Sequence, residues 1–302
     1  METLQDLDKR ITTTTKVQGI VKSMKTLSAV NIRQYERALA SLDTFVEVIE
    51  LGLQTVLKET ALPRHAAVSD QFTRGVIIFG SDQGLCGRFN ERLADFVRQQ
   101  LISMKVTDFS SLKLIVIGAR IAARLEAGGF IIDKQFWVPG SVNGINASIY
   151  QVLLSVEGWL KEHKIAQVDI FLNRYEKLTS ASPDHQVLLP IDNDHLRSLR
   201  KKQWPGRSLP SFRVPADQLF SGLIRQYLFV TLFRSQAESL ASEQASRLRS
   251  LQNAEKNIEE HVEELRGAYR IKRQSTITSE LLDLVAGFKA TVHSELKTID
   301  QK

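Results

Sequence analysis

All seven prolines of the chain lie between Pro63 and Pro215, so the first 62 residues and the last 87 contain none. Proline inside a helix removes a backbone donor and costs about 3 kcal/mol, so a long helix must exclude it. Both proline-free ends also carry an apolar repeat of helical spacing. The expected outline is two long, unbroken helices that pair as a coiled coil around a separately folded middle.

The N-terminal repeat is strict. Steps of 3 and 4 from Leu4 visit Leu7, Ile11, Thr14, Gln18, Val21, Lys25, Ser28, Ile32, Tyr35, Leu39, Leu42, Val46, Ile49, Leu53 and Val56, and the polar members all fall between Thr14 and Ser28. A sustained 3.5-residue period of this kind marks a coiled-coil seam more than a globular surface helix. Where the seam turns polar, the neighbouring stripe Ile20, Met24 and Leu27 is apolar, which predicts that the helix changes the face it buries there. At the other end the repeat passes Leu223, Tyr227, Val230, Ala237, Ala241, Leu248, Leu251, Ile258, Val262, Leu265 and Tyr269, interrupted by Arg234, Gln244 and Glu255, then shifts to Ile277, Leu281, Leu284 and Phe288. At 1.5 Å per residue, a helix from 216 to 300 is roughly 125 Å long against about 85 Å for the N-terminal one. Its tail is expected to outrun its partner and to need another protein over its apolar stripe.

Charge is segregated. Lys9 to Tyr35 holds Lys9, Arg10, Lys16, Lys22, Lys25 and Arg33 with no acid, and Arg266 to Ser279 holds Arg266, Arg270, Lys272 and Arg273 with none. Between them stands an acidic block of Glu255, Glu259, Glu260, Glu263 and Glu264. Such segregation suggests a basic surface for an acidic partner, protein or nucleic acid, although two solvated helix faces give the same pattern. No apolar run reaches the roughly 18 residues that span a bilayer, and the acidic start lacks the apolar core of a signal peptide. The single cysteine, Cys86, excludes an intramolecular disulfide and fits a reducing compartment.

The middle reads as α/β. Val76–Phe79, Leu114–Ile117 and Val168–Leu172 are short apolar runs suited to buried parallel strands, with helices expected over Asn90–Met104, Ala119–Ala127 and Gly144–His163. All three tryptophans, Trp137, Trp159 and Trp204, fall here, as expected of a compact core. The basic stretch Arg197–Pro215 reads as the linker back to the second long helix.

Few residues invite an enzymatic reading. Gly80-Ser81-Asp82-Gln83-Gly84-Leu85-Cys86-Gly87 stands between a strand and a helix, where a phosphate-cradling loop lies, but it has neither the Gly-Lys-Ser/Thr ending nor the G-x-G-x-x-G spacing. Cys86 at a helix start could be a nucleophile, yet no histidine is near in sequence, and a structural thiol is the expectation. Asp192-Asn193-Asp194-His195 offers metal-ligand types without a second cluster and reads as an exposed turn. No catalytic constellation, cofactor site or metal site is expected.

The ordered motifs resemble the gamma subunit of F-type ATP synthases from end to end. Ala241-Ser242-Glu243-Gln244-Ala245-Ser246-Arg247, with Leu251, Asn253-Ala254 and Asn257, is similar to that family's Ser-Glu signature. Tyr269, Arg273-Gln274 and Ile277-Thr278-Ser279-Glu280-Leu281 fit its Tyr…Arg-Gln…Ile-Thr-x-Glu-Leu motif. Asp82-Gln83-Gly84-Leu85-Cys86-Gly87 with Asn90, Leu188-Leu189-Pro190, Arg10-Ile11 and Ile20-Val21-Lys22-Ser23-Met24 are further matches. Departures at Gly19, Val21, Leu248, Leu251 and Arg270 mark a divergent branch, and the cysteine pair of a chloroplast-type redox switch is missing.

The resemblance implies a fold, partners and contact residues. The fold is a long antiparallel coiled coil of N- and C-terminal helices, 1–62 and 212–302, with a central Rossmann-like α/β domain at 63–211. The function is a non-catalytic rotor shaft that couples ion flow through the membrane sector to nucleotide-state changes in an α3β3 hexamer. The partners are the α and β subunits, the epsilon subunit and the c-ring, with no nucleic acid and only indirect membrane association at the cytoplasmic face of a bacterial inner membrane. Lys22, Met24, Lys25, Arg273, Gln274 and Thr278 are the expected β-subunit contacts. Leu281, Leu284, Val285 and Phe288 form the tip in an apolar sleeve, and Gly84, Leu85, Cys86 and Gly87 shape a structural loop. Two alternatives rest on the residues alone: a coiled-coil adaptor or nucleic-acid-binding arm, and a Rossmann-type enzyme with helical extensions.

Overall fold

In a computed structural model of the chain, the described residues are 3–59, 74–106, 108–162, 165, 167–175, 181–207 and 210–299, with the helix backbone alone at 162 and 290–299. The elements in order are α1 (Leu4–Val56), β1 (Arg74–Phe79), α2 (Phe89–Ser103), β2 (Lys113–Ile117), α3 (Ala119–Ala127), β3 (Lys134–Phe136), α4 (Val142–Glu162), β4 (Gln167–Arg174), β5 (Ser182–Leu189), α5 (Asn193–Lys201) and α6 (Ala216–Ile299). The boundary expected at 62/63 and the helix end expected at His163 lie outside the described residues. By contacts the chain forms two compact units, one of residues 1–25 with 251–302 and one of residues 26–250.

In the first unit, Leu4, Leu7, Ile11, Thr14, Gln18, Val21 and Lys25 are all buried or half-buried, and so are Leu251, Glu255, Ile258, Val262, Leu265 and Tyr269 of the other helix. The predicted change of buried face does not occur. The seam keeps its phase because its polar members find polar partners: Gln18 Nε2 donates to Glu259 Oε1 at 3.1 Å, and Lys25 Nζ donates to Glu255. Ile20 stays exposed. These pairs run antiparallel. Beyond Thr276 every described α6 side chain is exposed.

The second unit holds a five-stranded sheet of order β3-β2-β1-β4-β5. Its strands are parallel except β5, which pairs antiparallel with β4. The apolar runs of β1, β2 and β4 need cover on both faces, and they have it. Val76, Ile78, Leu114, Val116 and Phe171 pack under α2 and α3, while Ile77, Phe79, Ile115, Ile117, Ile170 and Leu172 pack under α4 and α6. The α1 seam continues here, buried or half-buried from Ser28 through Tyr35 to Val56. Antiparallel pairing with α6 is fixed by Arg234 Nη2, 2.5 Å from Asp43 Oδ1, and by Gly52, where an added Cβ would fall 2.8 Å from Leu223.

Three expectations need correction. The stretch expected to be linker, Arg197–Pro215, begins inside α5, which starts where the Asp192 side chain accepts from Asp194 N at 2.9 Å and buries Leu196 and Leu199 against Ile49 and Leu53. The supposed turn at Asp192–His195 is therefore a capped helix start. β3 and β5 were not anticipated. Of the tryptophans only Trp159 is buried; Trp204 is half-buried and Trp137 is 73% exposed.

Candidate functional site

The loop after β1 is built for close packing. At Gly80 a Cβ would lie 2.2 Å from Ile121 Cγ2, and at Gly118, held at φ 117°, it would lie 2.7 Å from Ser81 N. The Asp82 carboxylate then accepts from Ala119 N at 2.7 Å and from Val138 N at 2.8 Å. It thus occupies the N-terminus of α3, where the helix dipole and free N–H groups would otherwise receive a ligand's anionic group. Asn90 closes the loop, its Oδ1 accepting from Ser81 N and its Nδ2 donating to Ser81 Oγ at 2.8 Å. Leu85 and Gly87 both adopt positive φ, 62° and 59°, so the loop turns sharply and leaves Leu85 exposed. Cys86 is buried, and burial pushes its thiol up, away from the depressed range of a reactive thiolate.

In a doubly wound sheet the ligand crevice opens at the carboxyl ends of the two strands where the winding reverses, here β1 and β4. Helix α6 fills that place. Ser239 Oγ donates to Phe79 O at 3.0 Å, at the end of β1, and Ser242 Oγ lies 3.5 Å from Arg174 O, at the end of β4. One turn on, Ser246 Oγ donates to Cys86 O at 2.7 Å. Arg247 donates to Gly84 O and Gln83 O at 3.4 Å and to Glu243 Oε1 at 2.6 Å. The Arg247 and Glu243 side chains are each only 5% exposed. Burial raises the Glu243 carboxyl against the opposing pull of Arg247, and burial raises the Tyr35 phenol, with Glu243 adding to it. From Tyr227 to Leu248 no residue of α6 is exposed, so this stretch is a central layer and not a surface helix.

The expected contact residues divide sharply by environment. Lys25 is bound to Glu255, while Lys22 Nζ lies 4.0 Å from Glu255 and 3.8 Å from Glu259. Part of the N-terminal basic run is thus met by the chain's own acidic block. Met24 is half-buried. Arg273, Gln274 and Thr278 are exposed, with Thr278 Oγ1 donating to Gln274 O at 2.9 Å. Leu281, Leu284, Val285 and Phe288 are exposed too, Phe288 at 72%. Among the described residues no group of His, Cys, Asp and Glu could hold a metal ion, and no helix is long and apolar enough to cross a membrane.

A family model described as ATP synthase matches residues 3–291. The chain belongs to the ATP synthase gamma-chain family. Similar relatives include the ATP synthase gamma chains of Pasteurella multocida, 29% identical over 95% of this chain and 98% of that one, and of Pelagibacter ubique, 26% identical over 95% and 99%. Among solved structures, the fold is similar to a chain of the Euglena gracilis mitochondrial ATP synthase, OSCP/F1/c-ring, with a TM-score of 0.59 at 16% identity over 95% of this chain and 94% of that one. A chain of the Tetrahymena thermophila mitochondrial ATP synthase central stalk and c-ring gives a TM-score of 0.54 at 20% identity over 78% and 99%.

With the family in hand, its motifs fall into two kinds of place. The Ala241–Arg247 part of the Ser-Glu signature is the latch of α6 on the sheet, and the Asp82–Asn90 loop is what it grips. The Arg-Gln…Ile-Thr-x-Glu-Leu motif is solvent-facing throughout, except for half-buried Lys272 and Thr276 beside it. The departures at Val21 and Leu251 are buried seam residues, Leu248 is half-buried, and Gly19 and Arg270 are exposed. Motif matching did not reveal the work of Asp82, Ser239 and Ser246. The signal for the serines was their spacing, Ser235, Ser239, Ser242 and Ser246 lying 4, 3 and 4 apart on one helix face.

Proposed function

We propose that the chain is the central rotor shaft of an F-type ATP synthase, turned by ion flow through a membrane c-ring and read by an α3β3 hexamer. Catalysis belongs to the hexamer, and the shaft's asymmetric surface gives each β subunit a different set of contacts in turn. Such differential contacts shift populations among conformers of differing nucleotide affinity. The observation that carries the reading is the change along α6 from a stretch with no exposed residue, Tyr227 to Leu248, to an exposed, mostly apolar run, Leu281 to Phe288, preceded by exposed Arg273 and Gln274. An apolar tip favours a sleeve in which few directional bonds resist rotation, while the Arg273 guanidinium offers a fixed fork to a β-subunit carboxylate. Met24, with Lys22 and Lys25 beside it, is assigned to the same subunit's acidic segment.

In this reading 1–62 and 212–302 serve as shaft and 63–211 as the body that meets the epsilon subunit and the c-ring, at the cytoplasmic face of a bacterial inner membrane. A nucleic-acid-binding arm draws its support from the first basic run, and that support is weakened by Glu255 and Glu259 lying against Lys22 and Lys25. Reconstitution with cognate α and β subunits is the test. The expected result is one copy of this chain per α3β3 hexamer, with ATP hydrolysis that depends on it. Failure to assemble, or hydrolysis indifferent to the chain, would refute the proposal.

A further inference from the structure

Each helix of the first compact unit carries a seam that is able to pair with a second copy of itself. The α1 seam includes Leu7, Ile11 and Val21, and the α6 seam includes Leu251, Val262 and Leu265. Apolar contact is non-directional, so seams of heptad spacing join two like helices as readily as two different ones. The opportunity for such mispairing is long. Lys25 and Glu255 stand 230 residues apart, and chains fold in order of synthesis, so α1 is complete before its partner exists.

The polar seam members discriminate between these pairings. In a parallel, in-register pair of α1 helices each seam residue faces its own copy, which sets Lys25 against Lys25. No acid lies between Lys9 and Tyr35 to relieve that contact. A parallel pair of α6 helices sets Glu255 against Glu255 in the same way, with Glu259 one turn on. The mixed, antiparallel pair joins opposite charges instead. Lys25 Nζ donates to Glu255, Gln18 Nε2 donates to Glu259 Oε1 at 3.1 Å, and Lys22 Nζ lies 3.8 Å from Glu259. The Glu255 side chain is only 14% exposed, so a partner without a matching cation leaves a carboxylate largely removed from water. Charges placed in a seam in this way reject a wrong partner at some cost in stability.

We propose that Lys25 and Glu255, supported by Gln18 and Glu259, select α6 as the partner of α1 and exclude pairing of either helix with the same helix of a second copy of the chain. The selection acts while the monomer forms and does not depend on the rotor assignment.

The test uses the full chain carrying Thr14→Cys, a seam position that a parallel α1 pair brings face to face with its copy. The chain is refolded from urea under reducing conditions at rising concentration and then oxidised, with Cys86 buried in the folded protein. Disulfide-linked dimer and sedimenting mass are read together. In this parent the linked dimer should be a minor product. K25L/E255L makes both seams apolar at that layer and should make the linked dimer the major product, with self-association tightened by about tenfold or more as one like-charge contact is removed. K25E/E255K keeps opposite charges across the mixed pair and should behave as the parent. Equal dimer in the parent and K25L/E255L, or abundant dimer in K25E/E255K, overturns the proposal. Replacing a largely buried ion pair with apolar residues is often neutral or stabilising, so the monomeric fraction of K25L/E255L should unfold at no lower temperature than the parent. A lower temperature without dimer makes the pair a plain stabilising contact and also overturns the proposal. Should K25L/E255L aggregate without a discrete mass, K25A/E255A carries the test: a smaller shift toward linked dimer is expected, and no shift overturns the proposal.

Discussion

Replacing Arg247 with methionine should be among the most destabilising single changes available in this chain, and its cost should depend on pH. Arg247 and Glu243 are both almost wholly buried, and the second carboxylate oxygen of Glu243 has no hydrogen-bond partner. Breaking a buried pair by removing one partner costs about 3–5 kcal/mol, because an uncompensated charge stays behind. The Gly84 carbonyl loses its Arg247 donor as well, at about 1 kcal/mol for a typical bond, while the Gln83 carbonyl keeps Ser81 Oγ as a donor. A loss of about 4–6 kcal/mol is therefore expected from urea unfolding at neutral pH. Burial already raises the Glu243 carboxyl in the wild type, so its contribution is fully present below the unfolded value near 4.5 and is lost as pH rises through the folded value. Without Arg247 the folded value rises further, and the variant should recover part of its loss on mild acidification as Glu243 takes up a proton. The double variant E243M/R247M should be less damaged than R247M, since the stranded charge is gone. A loss under about 1 kcal/mol, or one that does not change with pH, would contradict the assignment of this pair as a buried, charged latch.

Three further outcomes follow from local geometry. Asp82→Ala removes the acceptor shared by Ala119 N and Val138 N and should cost about 1–2 kcal/mol, with faster amide exchange at both positions. Gly118→Ala puts a Cβ against the Ser81 backbone at φ 117° and should cost about 3 kcal/mol or more, whereas Gly267→Ala, in a helix with open space around it, should stabilise by about 0.5–1 kcal/mol in thermal unfolding. Burial, then the hydrogen bond from Tyr175 Oη to Glu36 at 3.0 Å, pushes the Tyr175 phenol up to about 12 from 10. The wild type should therefore lose stability as pH rises through that interval, and Tyr175→Phe should remove this part of the slope.

The coiled-coil seam was legible because a 3.5-residue period is a property of the sequence alone, and it held through Gln18, Lys25 and Ser28, whose polarity had suggested a change of face. What periodicity could not supply was the partner: Glu255, a break in the α6 pattern, is what makes Lys25 tolerable in the seam. Strands β1, β2 and β4 were legible as continuous apolar runs. β3 is three residues at a sheet edge, and β5, with Pro183, Asp184, His185 and Gln186, is an edge strand that is half-buried along most of its length, so neither carries that signal. Helix α5 was hidden by its basic, polar composition, although Asp192 and the Leu196–Leu199 spacing mark it. The least legible stretch was Tyr227 to Leu248 of α6. Its serines, Gln236, Glu243 and Arg247 read as a polar face, and only the packing of a helix between a second helix and strand ends turns that face into a buried one. For the same reason the family motifs marked these positions without stating their physical work. Asp82 fills the site a ligand's anion would take, and Ser239 and Ser242 close the crevice where a ligand would lie.

The central claim is that this chain turns as a shaft, and direct observation of rotation tests it. With a cognate α3β3 hexamer fixed to a surface and a probe attached in the body at Leu85, one of its exposed positions, ATP should drive continuous one-way rotation in steps set by the three β subunits. Removal of the exposed α6 residues beyond Thr276 should weaken the torque while the body remains folded. A probe that stays still during sustained hydrolysis, in assemblies shown to contain the chain, would contradict the account.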